Sequence, residues 1–153
     1  MLKIETNRLI IIPLSDLQMQ ETINKESCQE IKTAFIEMYD NSIKYPKDRI
    51  WYVIWGIYLK NNLNTAIGNL SFKGPSVDGV VEIGYGINDK YQNNGYMTET
   101  LIAITNWAIK QENIKSVQAE TTTDNIACIR VLEKSGFVST GKNGQEGPIY
   151  KFL

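Results

Sequence analysis

The chain has 153 residues and a mass of 17.4 kDa, with 42% hydrophobic and 22% charged side chains. This length buries one sizeable core without disulfides or metal, and the ordinary composition excludes a disordered, collagen-like or membrane class. Sixteen basic against seventeen acidic residues lack the basic excess of a nucleic-acid binder. The absence of histidine removes Ser-His and Cys-His nucleophile pairs, histidine general bases and histidine-liganded zinc.

Residues 1–8 alternate and carry charge, unlike a secretory leader, and the longest apolar runs are too short to span a bilayer. Cys28 and Cys128 are far apart and outside a CxxC pattern, so both read as reduced thiols. The expectation is a cytoplasmic protein with no metal, no membrane association and no nucleic-acid partner. Residues 9–14 are short and isoleucine-rich, which predicts a strand with Pro13 at its end or on an edge. Ser15 and Gln18 have the spacing of a capping box, which predicts a helix over 16–24. A second helix over 27–40 carries Ile31, Ala34, Phe35 and Met38 at helical spacing, and residues 41–48, with Tyr45-Pro46, end it.

Strands are predicted over 50–59, 65–72 and 80–87, joined by connections short enough for antiparallel hairpins. Residues 88–95 are polar. A helix over 98–111 follows, with Leu101, Ile104, Trp107 and Ala108 on one face, then a strand over 116–122. A helix over 124–135 stops at Gly136, and residues 137–140 and 149–153 read as a closing hairpin. Trp51, Trp55 and Trp107 read as core. The order β-α-α-β-β-β-α-β-α-β-β gives a mixed α/β sheet in one domain over 1–153, with at least one parallel pair.

The strand over 80–87 leads through a polar loop with one glycine into a helix. Unpaired N–H groups and the positive dipole end of that helix make an anion site, and Gly95 lets backbone approach the ligand. A plain strand–loop–helix connection accounts for the same spacing. The loop is neither a G-x-x-x-x-G-K-[ST] nor a G-x-G-x-x-G fingerprint.

Gln92-Asn93-Asn94-Gly95-Tyr96-Met97 resembles the Q/R-x-x-G-x-G/A pyrophosphate loop of the GNAT N-acetyltransferases, with Met97 where a small residue is usual. Residues 82–87 before it and 124–137 after it resemble the branch that includes ribosomal-protein alanine acetyltransferases, as does Glu5-Thr6-Asn7-Arg8-Leu9. The resemblance implies acetyl-CoA as donor. It implies that amides of Gln92, Asn93, Asn94, Gly95, Tyr96, Met97 and Thr98 hold the pyrophosphate. It further implies that the strand with Tyr85 and Ile87 pairs with the pantetheine arm, a bulge near Gly84–Gly86 splaying it from the strand over 116–122. Asn125 matches an asparagine that contacts the cofactor, and Cys128 stands where serine is common. Asn125 equally suits an ordinary helix start, and Cys128 a small buried apolar position.

Acetyl transfer to an amine needs a base, a donor for the carbonyl oxygen and a stabiliser for the leaving thiolate. Without histidine the base is Glu, Asp, Tyr, Lys or a water relay. Glu82 is the first candidate and Glu120 the second; a salt-bridged strand residue is the other reading of Glu82. A backbone N–H near Ile87 supplies oxyanion-type donation, and Tyr150 is a candidate thiol proton donor whose other reading is sheet packing. The expected activity is N-acetyl transfer by direct attack in a ternary complex. The acceptor is a protein N-terminal α-amine or a small-molecule amine. A CoA-binding sensing or interaction module on the same fold is the alternative, and a homodimer is the base-rate expectation for assembly.

Overall fold

A computed structural model describes residues 2–152. Eight strands form one sheet in the order β1-β2-β3-β4-β5-β6-β8-β7. A two-residue strand unseen in the sequence, β1 (Ile4–Glu5), pairs with β2 (Leu9–Pro13), whose last residue is Pro13. Helix α1 (Asp16–Lys25) opens on the capping box: the Gln18 N–H donates to Ser15 Oγ and the Ser15 N–H to Gln18 Oε1.

Helix α2 (Gln29–Lys44) runs four residues past its expected end and stops at Tyr45-Pro46. Inside that extra turn Ser42 is buried, its hydroxyl donating to the Tyr39 carbonyl. Residues 50–53 are not strand, as the aromatic run predicted. Pro46 starts a 3-10 turn, Pro46–Trp51, and the Tyr52 and Val53 N–H groups both close on the Arg49 carbonyl. The apolar signal there reflects burial: Trp51 packs on Phe72 and Trp107.

The antiparallel strands β3 (Ile54–Leu59), β4 (Gly68–Phe72) and β5 (Val80–Ile87) follow. Residues 65–67 precede β4, although the Ile67 N–H still reaches the Ile57 carbonyl. Helix α3 (Tyr96–Ile109) crosses to β6 (Ser116–Glu120), the parallel partner of β5. Helix α4 (Ile126–Lys134) ends before Gly136, which has φ +94°, and β7 (Val138–Asn143) and β8 (Pro148–Phe152) close the sheet.

Along β3, Trp55 and Ile57 face a core with Leu101, Ile104 and Val117, while Ile54 joins Leu14, Met19 and Val53 beneath α1 and α2. Alternation thus seals the sheet on both faces here.

The parallel pairing of β5 and β6 covers only Val80–Glu82 against Ser116–Gln118, whereas β5 stays in register with β4 through Ile87. The bulge expected at Gly84–Gly86 is absent. Beyond Gln118, β6 keeps its other edge on β8, where the Thr121 N–H donates to the Pro148 carbonyl. The Glu82 carbonyl accepts from Lys73 and the Asn88 N–H donates to Ile67, so even-numbered residues of β5 turn their backbone to β4. Alternation turns the backbone of Tyr85 and Ile87 into the opening.

Candidate active site

A cleft of about 640 Å³ lies between the end of β5, the start of α3 and α4. Its floor is the loop into α3. Asn93 has φ +63° and Gly95 φ +78°, both left-handed. Gly95 caps α3 without a side-chain hydrogen bond, and the first bond of the helix runs from the Glu99 N–H to the Gly95 carbonyl. The amides of Tyr96, Met97 and Thr98 therefore have no partner inside the helix and form an anion cradle.

Tyr85, Ile87, Gln92, Asn93, Gly95, Tyr96, Met97, Thr98, Asn125 and Cys128 all border the cleft. Asn94 does not. Its Nδ2 turns back to the Tyr91 and Gln92 carbonyls, and its own carbonyl accepts from Arg8. The Met97 side chain is buried in the core, so its bulk is taken up beneath the loop. Sequence reading missed Tyr91, Arg130 and Lys134, which also line the cleft. The two cations lie four apart on α4 and so on one face, a spacing that carried the signal.

Glu99 places a carboxylate in the first turn of α3, beside the cradle. It is fully engaged. Thr6 donates to its Oε2, as does the Arg8 N–H at 2.9 Å, and Arg8 Nε donates to its Oε1 at 2.8 Å. Burial pushes the Glu99 pKa up, but the hydrogen bonds from Thr6 and Arg8 and the Arg8 charge more than reverse this, leaving it lowered. The same guanidinium stacks 4.3 Å over the Tyr96 ring and binds the Asn94 carbonyl, tying β1–β2 to the loop.

Where β5 and β6 part, a second cavity of about 240 Å³ opens, bordered by Lys73, Gly84, Tyr85, Glu120, Thr121, Asn125, Cys128 and Glu146. Tyr85, Asn125 and Cys128 border both cavities, so the two meet there. Asn125 caps α4, its Oδ1 accepting from the Cys128 N–H. The Tyr85 hydroxyl lies 3.0 Å from Cys128 Sγ. Burial, then the hydrogen bond and charge of Cys128, push the Tyr85 pKa far up, so the hydroxyl keeps its proton at neutral pH.

Glu82 is salt-bridged: Lys73 Nζ lies 2.5 Å from its Oε2, and Gln118 Nε2 donates to its Oε1. It flanks the second cavity through Lys73. Glu120 borders that cavity directly and accepts from the Glu146 and Gly147 N–H groups, pinning the β7–β8 turn. Burial lowers the Lys73 pKa, but the hydrogen bond and charge of Glu82, with the charges of Glu146 and Glu120, raise it overall. Tyr150 stands apart from both cavities. It pairs with Ala119, whose side chain points to the face opposite Gln118 and Glu120, and it packs on the core. The Tyr85–Cys128 pair occupies the junction instead. Among the described residues no group of three or more His, Cys, Asp or Glu is placed to hold a metal, and no helix is long and apolar enough to cross a membrane.

Residues 9–138 match the family model described as an acetyltransferase (GNAT) domain, and the chain belongs to that family. It is 26% identical to the uncharacterized N-acetyltransferase YjdG of Bacillus subtilis strain 168, each chain being covered to 95%. Among solved structures it is similar to a ribosomal-protein-alanine acetyltransferase from Vibrio fischeri, at TM-score 0.77 and 16% identity, with 100% of this chain and 97% of that one covered. It is also similar to an aminoglycoside acetyltransferase in complex with coenzyme A, at TM-score 0.70 and 16% identity, covering 95% and 94%. Acetyl-CoA is the donor this fold binds, and the residues fit it: free amides with Arg130 and Lys134 suit its phosphates, and the open edge of β5 suits its amide-bearing arm.

Proposed function

We propose that the protein transfers acetyl from acetyl-CoA to a primary amine by direct attack in a ternary complex, the donor in the large cleft and the acceptor in the small one. The observation that carries this is the meeting of the two cavities at Tyr85, Asn125 and Cys128, where β5 and β6 part. Acetyl-CoA supplies an acetyl group activated as a thioester. The amides from Gln92 to Thr98 hold its diphosphate, with Arg130 and Lys134 facing it from α4, and Tyr85 and Ile87 offer backbone groups to its arm. Glu82 and Glu120 are the carboxylates positioned to accept the ammonium proton, directly or through water. The Ile87 N–H faces the opening as an oxyanion donor. The Tyr85 hydroxyl, kept protonated, donates to the leaving thiolate.

The acceptor is a cationic amine, a peptide amino terminus or a small polyamine. Glu120 and Glu146 line the second cavity beside one lysine, Lys73, whose charge Glu82 pairs, so its field favours positive charge. Acetyl-CoA binding by calorimetry, followed by thiol release on a panel of peptides and small amines, tests this. Binding with release on at least one cationic amine is expected; no binding at millimolar donor overturns it. Binding without release on any amine favours a CoA-sensing module, the reading that the Lys73–Glu82 ion pair supports by occupying the base.

A further inference from the structure

The acceptor cavity already contains an amine. Lys73 follows β4, and its N–H donates to the Glu82 carbonyl at 2.8 Å, so its backbone prolongs the ladder across from β5. Its side chain runs over Gly84: a Cβ there would stand 3.9 Å from Lys73 Cε. The bare glycine lets the chain lie toward the gap where β5 and β6 part. Nζ ends 2.5 Å from Glu82 and borders the same cavity as Tyr85 and Cys128. No other lysine borders that cavity among the described residues. The side chain is 51% exposed.

Resting on the acetyl-transfer reading above, we infer that Lys73 is an internal acetyl acceptor, modified within the same molecule when no external amine fills the cavity. The ammonium gives one proton to Glu82, and the freed lone pair forms a C–N bond to the thioester carbonyl carbon as the C–S bond breaks. The electron pair of that bond leaves on sulfur, beside the Tyr85 hydroxyl. The second nitrogen proton is lost as the amide forms; of the two protons released, one ends on the thiolate and one in solvent. Nothing is oxidised or reduced. Holding amine and thioester in one cavity replaces a bimolecular collision by an intramolecular step.

The test incubates the purified full chain with acetyl-CoA and no acceptor, and maps modified peptides by mass over time. Lys25, exposed at the end of α1, serves as the internal standard for uncatalysed acetylation. Lys73 should gain one acetyl group at least about a hundredfold faster than Lys25. Its rate should saturate with acetyl-CoA and stay constant when the protein is diluted. The Lys73→Arg variant should lose that peptide signal and no other. Donor binding and turnover of external amines, with Lys73 modified no faster than Lys25, overturn the inference and leave the proposed function standing. A rate that falls in proportion to dilution overturns the intramolecular step. Absence of donor binding overturns both.

Discussion

The two halves of the proposed site are built from different material. The donor half is mostly backbone: left-handed Asn93 and Gly95, the first amides of α3 and the open edge of β5, all within residues 85–98. The acceptor half is side chains carried in from four places: the end of β4, the middle of β5, the end of β6 and the β7–β8 turn. Backbone groups are common to every residue, so the donor half is set by chain direction and a few permissive positions. Side-chain charge differs by position, so the proposed acceptor half is where specificity can differ between chains of this fold. Changes in one half should therefore leave the other's binding step intact.

The largest separation is expected from Glu82→Gln. General-base assistance contributes about a hundredfold to ten-thousandfold, so kcat/KM on a cationic amine should fall by about that much. Acetyl-CoA affinity by calorimetry should not change. A matching loss of donor affinity would break the division between the halves. Gly95→Val is the reciprocal change. At φ +78° a β-branched residue is strained by about 1–3 kcal/mol, and its Cβ would stand 3.4 Å from Arg8 Nη2. Acetyl-CoA should bind about tenfold to a hundredfold more weakly, while KM for the amine at saturating donor stays constant.

The fold was legible in the sequence wherever the signal was local. The capping box at Ser15 and Gln18, the glycine after α4 and the bounds of β5 follow from neighbouring residues. The polar loop between β5 and α3 was legible for the same reason. The contacts around the second cavity were not, because they join residues far apart: Glu120 to Glu146 across 26 positions, Tyr85 to Cys128 across 43. Tyr150 shows the limit. Alternation places it on one of two faces, and only the register against Ala119 decides which. The aromatic run at 51–55 misled because burial and strand formation leave the same composition, while Pro46 had already committed the chain to a turn.

Arg8 sharpens the comparison, since it is a side chain serving the backbone half from 91 positions away. Arg8→Ala leaves the Glu99 carboxylate without its cation at the end of α3 proposed to face the diphosphate. Charge at a helix terminus is worth about 0.3–1 kcal/mol when partly exposed, so acetyl-CoA should bind about two- to fivefold more weakly. Adding Glu99→Gln to Arg8→Ala should recover most of the loss. Failure to recover would show that Arg8 acts through the Asn94 carbonyl and the Tyr96 ring instead.

The smallest effect expected concerns proton linkage at Glu99. Its folded pKa is lowered below the ordinary carboxylate value, burial opposing and the bonds from Thr6 and Arg8 prevailing. A carboxylate depressed on folding stabilises the native state above its unfolded pKa, and that contribution is lost as pH falls through the folded value. Wild type should therefore melt above Glu99→Gln at neutral pH. The gap should hold down to the ordinary carboxylate range, then narrow and close as Glu99 protonates and comes to resemble the amide. A gap that stayed constant with pH would mean that Arg8 and Thr6 grip the side chain by shape and neutral hydrogen bonds alone. The charge at the head of α3 would then have no part in setting the donor half.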